Sequence, residues 1–499
     1  MHSYSHKFTL LILLLLSPFV TKAVAQTLWT LDDVIGMAKG QSIASKQAET
    51  ERETNYWKWR TYQSNYKPQL SLYGNLPDYN RSFTQVYQPD GSIQFQPVIN
   101  NNALASLSLS QAIAATGASI FVNSQLQRFD DFNNNVTRYN SSPVLIGFSQ
   151  PLFAYNTLRW DKKIEPIKYL ESRQAYIESI ETIAINTTGL FFDLLLAQTN
   201  LQLAELNREN NENIYKIAQE RYNVGKSSTN DLLQLKMELL KAQKALIAAR
   251  QNEETYSRNL KSYIGYRSNE HIVLVIPDSI PDMYIDATVA LREALENRKD
   301  ALAFRRRILE AESEIAKARG EVGFKTNINA TLGYSKAAST ISDAYKSPQN
   351  LTTVLVEFNL PIMNWGRARS RLETSRANKK LIEYTVEQDR NDFERGIYTQ
   401  VNLLNMLKEQ LKLTKEAEDI AQQRYQIAKD RYILGNLSIT DLSLALQEKD
   451  LSKQDYITSL RNFWTAHYTI RNLTLYDFLK NEKITVPASN ERALRNGSL

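Results

Sequence analysis

Two stretches decide the fold: YKIAQERYNVGKSSTNDLL, Tyr215 to Leu233, and YQIAKDRYILGNLSITDLS, Tyr425 to Ser443. Nine pairs are identical at a constant offset of 210: Tyr215/Tyr425, Ile217/Ile427, Ala218/Ala428, Arg221/Arg431, Tyr222/Tyr432, Gly225/Gly435, Ser228/Ser438, Asp231/Asp441 and Leu232/Leu442. The same offset relates FSQPLF, with Phe148 and Pro151, to FNLPIM, with Phe358 and Pro361. A fixed offset held over that distance marks a duplicated unit. Each copy has its own physical logic. An apolar-periodic segment runs into Gly225, a residue that tolerates the left-handed conformation ending a helix. Ser228 then offers an N-cap, and Asp231 stands where a capping box needs a carboxylate. Gly435, Ser438 and Asp441 repeat the arrangement, so each copy is expected to hold a helical hairpin with a tight turn.

Working outward, Asn156 to Gly225 and Gly366 to Gly435 each read as one helix of about 70 residues, roughly 105 Å at 1.5 Å per residue. No compact domain needs helices of that length. The return strokes come in pieces: Ser228 to Ser262 with Asp286 to Val322, and Ser438 to Leu475 with Leu31 to Tyr66. Their summed lengths match the downstrokes, so the chain's own start is expected to complete the second copy. Four segments join the strokes with period-two alternation: Pro68–Leu76, Pro143–Gln150, Thr326–Ser335 and Leu351–Leu360. Each is roughly the ten residues that a tilted transmembrane β-strand needs. A half-buried soluble sheet shows the same alternation. The first copy carries about 50 further residues. Within them, residues 103–111 and 117–127 read as an extra hairpin, extending the wall or lying outside it. Residues 77–102 and 130–142 have loop composition.

The N-terminus reads as an address. Lys7, the apolar run Phe8–Leu16, and Ala23-Val24-Ala25 make a signal peptide over 1–25, the run being too short to span a membrane. Of the 499 residues none is cysteine, which excludes disulfides, a cysteine nucleophile and a lipid-modified cysteine. The 60 basic and 54 acidic residues are spread evenly and leave no nucleic-acid footprint. The expected division is therefore signal peptide 1–25, first repeat 26–275 with a hairpin insertion at about 77–142, second repeat 276–480 and a polar tail 481–499.

Taken together, the two Arg-Tyr-x-x-Gly-x-x-Ser-x-x-Asp-Leu turns, the Gln150-Pro151-Leu152-Phe153 corner and its Leu360-Pro361-Ile362 partner resemble the TolC-type outer membrane efflux proteins of Gram-negative bacteria. The resemblance runs from about Leu28 to Leu479. It implies a mixed α and β membrane protein: a homotrimer with a 12-stranded β-barrel, four strands per protomer, continuous with a long α-helical periplasmic tunnel of coiled-coil hairpins. It implies the duct of a tripartite efflux or type I secretion system in the outer membrane lipid, supplied by a periplasmic adaptor (membrane fusion) protein and an inner-membrane RND or ABC pump. By the same resemblance Arg221, Tyr222, Gly225, Ser228 and Asp231, with Arg431, Tyr432, Gly435, Ser438 and Asp441, form the adaptor-facing entrance turns. Pro68, Gln150, Pro151 and Pro361 form the barrel-to-helix corners. Family members often add an acidic residue three positions after the tip aspartate; Gln234 and Leu444 stand there, which puts an acidic entrance ring in doubt.

Catalysis finds no support. The mature chain keeps two separated histidines, His271 and His467, with no nucleophile elbow and no phosphate loop, so neither enzyme activity nor a cofactor nor a metal is expected. Asp278, Asp282 and Asp286 read as loop and N-cap residues around Pro281. The competing function is a periplasmic coiled-coil adaptor or scaffold, which would also contain long hairpins.

Overall fold

The computed structural model describes residues 28–225, 227–268, 270–277 and 281–485. The expected signal peptide, Asp278 and residues 486–499 of the expected tail lie outside them. In chain order the elements are β1 (Leu28–Trp29), α1 (Leu31–Gln41), α2 (Ile43–Ser64), β2 (Gln69–Asn75), β3 (Tyr79–Tyr87), β4 (Ile93–Ile113), β5 (Ala118–Asp131), β6 (Val136–Leu152), α3 (Thr157–Asn223) and α4 (Thr229–Ile264). There follow β7 (Val273–Leu274), α5 (Ala287–Asn297), α6 (Lys299–Val322), β8 (Lys325–Ala338), α7 (Ile341–Ala344), β9 (Gln349–Asn359), α8 (Arg367–Ile433), α9 (Ile439–Thr474), β10 (Tyr476–Asp477) and β11 (Glu482–Lys483). The helices α3 and α8 are both 67 residues long, and α4 and α9 both 36, each pair starting 210 apart (367 − 157 and 439 − 229).

Two of the expected strokes are each split in two. Leu31–Tyr66 breaks at Ser42, whose extended backbone ends α1 and whose hydroxyl accepts from the Ser45 amide at 3.0 Å. Asp286–Val322 breaks at the extended Arg298, after an α5 capped by Asp286, which accepts from the amides of Thr288 and Val289. Both leading helices have 11 residues, and their caps Thr30 and Asp286 lie 256 apart (286 − 30).

The chain divides into two compact units. The first, helical unit comprises residues to 45, 183–282 and 406–468. Its core holds Val34, Ala38, Phe191, Leu194, Leu260, Ile264, Leu411, Leu460 and Phe463, all almost fully buried. A stretch of α3 is long and apolar enough to cross a membrane by composition, yet more than half of it is buried against protein. Trp29 packs edge-on against Tyr266, and Leu28–Trp29 pairs in parallel with Val273–Leu274. Tyr468 on α9 donates to Asp32 on α1 at 3.3 Å, so the chain's start does reach the last helix.

The second unit, residues 46–182, 283–405 and from 469 onward, holds the sheet. Its order is β2-β4-β5-β6-β8-β9, antiparallel throughout, with β3 also on β4. Two expectations are corrected here. The four expected strands are six across the sheet, because the extra hairpin is hydrogen-bonded into it between β2 and β6. Residues 79–87, 93–102 and 136–142, with the loop-like composition of Asn, Gln and Pro, are strands. A ladder supplies their backbone partners whatever their polarity, and polar side chains suit the watery face and the outer rim.

One row of side chains crosses the whole sheet in register: Leu70, Leu109, Val122, Ile146, Leu332 and Thr352. The apolar members of that row are exposed, Leu70 at 67%. Val354, Val356 and Phe358 continue the same exposed face on β9. The opposite face is polar: Ser149 donates to Asn329 at 2.8 Å, and Asn329 donates to Glu357 at 3.1 Å. A soluble sheet would cover its apolar face and wet its polar one; among the described residues nothing covers the apolar face of this sheet.

Candidate channel entrance and membrane belt

The two turns form as their residue types dictate. After α3, Gly225 sits at φ +71° and donates its amide to the Tyr222 carbonyl at 2.9 Å. Ser228 then caps α4: its hydroxyl accepts from the Asp231 amide at 3.1 Å, and Asp231 accepts from the Ser228 amide at 3.3 Å. After α8, Gly435 sits at φ +82°. Its amide donates to the Tyr432 carbonyl and that of Asn436 to the Arg431 carbonyl, both at 2.9 Å, the bond pair that closes a Schellman motif. Ser438 accepts from the Asp441 amide at 3.1 Å and donates its hydroxyl to the Asp441 carboxylate at 2.7 Å.

The two turns meet inside one helical unit. Arg221 donates from Nη2 to the Ile433 carbonyl at 3.1 Å. That oxygen ends α8, where carbonyls lack helical partners and a cation is favoured. Ile214 and Tyr432 pack on the cluster of Tyr425, Ala428, Leu442 and Ala445. Burial raises the Tyr432 phenol above its ordinary value, Arg221 pulls it down and Asp231 pushes it up, so it stays a neutral hydrogen-bonding group. The repeat's equivalent of Arg221 behaves differently. Arg431 is exposed and has no side-chain hydrogen bond or ion pair among the described residues. Tyr222 is 40% exposed and meets Thr229 only at 3.5 Å. Gln234 and Leu444 are both exposed one turn into α4 and α9.

The corners come from the strand ends. Gln150 and Pro151 lie at the end of β6, where Gln150 donates to the carbonyls of Thr116 at 3.1 Å and Pro151 at 2.7 Å. Asn156 caps α3 by accepting from the Arg159 amide at 3.0 Å. Pro68 directly precedes β2, and Pro361 stands between β9 and α8 in irregular backbone that ends on Trp365 and Gly366, both left-handed.

Sequence reading missed a second surface. On α8 and just past its end, Met406, Leu413, Ile420, Ile427 and Leu434 recur every seven residues and are all exposed, Leu413 at 67%. On α4, Leu233, Leu240 and Ile247 repeat every seven with Met237 between them, Ile247 being 72% exposed. A strict seven-residue spacing is the signature of a coiled-coil seam, and was the signal available in the sequence.

A sequence profile of the outer membrane efflux protein family matches residues 116–266 and 290–474. The cation efflux system protein CusC of Escherichia coli K12 is 23% identical over 295 residues, which cover 59% of this chain and 62% of that protein. The pyoverdine export outer membrane protein OpmQ of Pseudomonas aeruginosa is 22% identical over 300 residues, covering 60% and 61%. The chain thus spans about three fifths of the length of the curated relatives it matches. Among solved structures, CusC superposes with a TM-score of 0.62 at 14% identity over 89% of this chain and 91% of that one. The Campylobacter jejuni CmeC outer membrane channel gives 0.63 at 16% over 94% and 89%. The profile match covers more than half of the chain, and the fold follows the same architecture: the chain belongs to the outer membrane efflux protein family, seated in the outer membrane with its helical part in the periplasm, and is not an enzyme.

Proposed function

We propose that three copies of this chain form a passive outer membrane duct that receives cargo from a periplasmic adaptor protein and an inner-membrane pump of the RND or ABC class. The observation that carries this reading is the sheet: apolar and uncovered on one face, polar on the other, with both edges unpaired among the described residues. Open edges are not tolerated in lipid, so the sheet must be completed by further copies. The exposed seven-residue rows on α4 and α8 fit the same conclusion, since a coiled-coil seam left bare in one copy is covered by another. A periplasmic adaptor or scaffold would have no use for an uncovered apolar sheet face.

In this reading the turns at Gly225 and Gly435 line the periplasmic entrance. Arg221 holds the two hairpins of one copy together, and the exposed Arg431 and Tyr222 are the groups open to the adaptor. The corners at Pro68, Gln150, Pro151 and Pro361 redirect the chain from barrel to helix. The relatives above differ in the cargo their names carry, a cation in one and pyoverdine in the other, so selection is assigned to the pump and adaptor. Extraction tests the reading. The protein should require detergent and run as an SDS-resistant or heat-modifiable trimer; recovery as a soluble periplasmic monomer would refute it.

A further inference from the structure

Resting on the duct reading above, we infer that three copies close an eighteen-stranded barrel, with β9 of each copy pairing to the free edge of β2 and β3 of the next. The sheet itself sets this count. The β5 edge is occupied along its length, since β4 pairs with it from Asn100/Asp131 to Ile113/Ala118. Among the described residues the edges left open are those of β2 with β3 and of β9. Their directions suit each other. The strand β2 starts five residues after α2 ends (69 − 64), and β9 ends eight residues before α8 begins (367 − 359). Both therefore have their helical ends at the same rim and run oppositely, so β9 laid on a neighbouring β2 continues the antiparallel alternation of the wall. An even number of strands per copy is what lets a ring of identical copies close in this way.

The extra strand pair is built into the wall. Elements ahead of the sheet repeat at an offset of 256 and those after it at 210, so 46 residues (256 − 210) are inserted at the barrel. That is one up-and-down strand pair. Gly74 fits β2 against β4: a Cβ there would stand 2.3 Å from the Leu104 carbonyl oxygen, so any side chain would push the strands apart. Gln111 at the end of β4 donates to the Tyr66 carbonyl at 3.2 Å, fixing the hairpin beside the start of β2. The exposed apolar row runs unbroken from Leu70 on β2 through Leu109 and Val122 to Leu332 on β8, so the inserted strands present the same face to lipid as the others.

The consequence is a wider conduit. With strands about 4.8 Å apart and tilted by about 40°, eighteen strands give a backbone diameter of about 36 Å, against about 24 Å for twelve. The cross-section rises about twofold. The outer membrane end thereby suits bulky cargo, and passage is governed at the helical entrance.

Imaging the detergent-solubilised full-length assembly by electron cryomicroscopy tests the inference. Three copies with eighteen strands are expected. Twelve strands from three copies, with residues 69–113 outside the wall, would overturn it while leaving the duct intact. A twelve-stranded barrel from two copies would overturn it and the copy number together. A soluble monomer would overturn the duct reading itself. Labelling in intact outer membranes gives an independent readout in this cysteine-free chain. Leu109→Cys and Val122→Cys should resist a membrane-impermeant maleimide while Ser108→Cys and Asn123→Cys react at least tenfold faster; equal labelling at all four positions refutes the in-wall hairpin.

Discussion

Replacing Arg221 by methionine keeps the aliphatic stem and removes the guanidinium. The bond lost is the 3.1 Å contact to the Ile433 carbonyl at the end of α8. A hydrogen bond from a charged donor is worth roughly 1.5–3 kcal/mol, less where it is exposed to solvent as here, and a cation at a helix C-terminus about 0.3–1 kcal/mol when solvated. Arg221 is half-buried, so about 1 kcal/mol is the reasonable figure, or about a fivefold increase in the fraction of time the two turns are apart. Hydrogen exchange on the solubilised assembly without adaptor reads this directly. The amides of Gly435 and Asn436, bonded to Tyr432 and Arg431 in the closing turn, should exchange about five times faster. Arg431→Met is the internal control. It removes the repeat-equivalent side chain, which has no partner among the described residues, and should leave those amides within a factor of two. Equal effects from the two substitutions, or a larger one from Arg431→Met, would refute the assignment of the tie to Arg221.

Further outcomes follow from other parts of the fold. Gly435→Ala places a Cβ at φ +82° and should destabilise the second turn by about 1 kcal/mol, seen as faster exchange in residues 431–442 with the sheet unaffected. Val122→Lys on the exposed apolar face should cost about 2–4 kcal/mol in the bilayer and abolish heat-modifiable assemblies, whereas Asn123→Lys on the polar face should assemble. The Asp282 carboxyl is held below its ordinary value by its bond to Lys408, and Asp286 by its bonds from Thr288 and Val289. Groups lowered in this way stabilise at neutral pH and lose that contribution as pH falls from the ordinary carboxylate value through the folded one. Exchange over residues 282–290 should therefore rise only below about pH 4. Cysteines at Ser227 and Asn436 should crosslink the cognate adaptor in cells, and crosslinks formed equally well from Asn123→Cys would argue against an entrance role for the turns.

The hairpins were legible because their determinants are local. Glycine, serine and aspartate at fixed spacing leave few alternatives, and Ser228 and Ser438 cap as their positions require. The breaks at Ser42 and Arg298 were not legible, since helical periodicity continues across both and the break lies in one residue's extended backbone. Strand existence was readable from alternation in Leu70, Leu72 and Val354, Val356, but not in residues 79–102, where polar side chains mask it. Neighbour order was least readable of all. Pairing of β2 with β4 instead of β6 depends on residues far apart in sequence, and the only local hint is a glycine at position 74. The asymmetry between Arg221 and Arg431 escaped because the repeat makes the two residues identical, while only Arg221 meets the end of the other hairpin, a contact between stretches 212 residues apart that no local pattern encodes.

On the proposed duct reading, the edges of β9 and β2, unpaired among the described residues, have a kinetic meaning. A single copy arriving at the outer membrane carries two rows of unsatisfied amides and carbonyls that lipid cannot solvate. The lone chain therefore has no inserted state to wait in, and insertion and association become one event whose rate depends steeply on the periplasmic concentration of newly exported chains. At low expression the same edges are open to pairing with foreign strands, so the yield of finished ducts should fall faster than in proportion to synthesis.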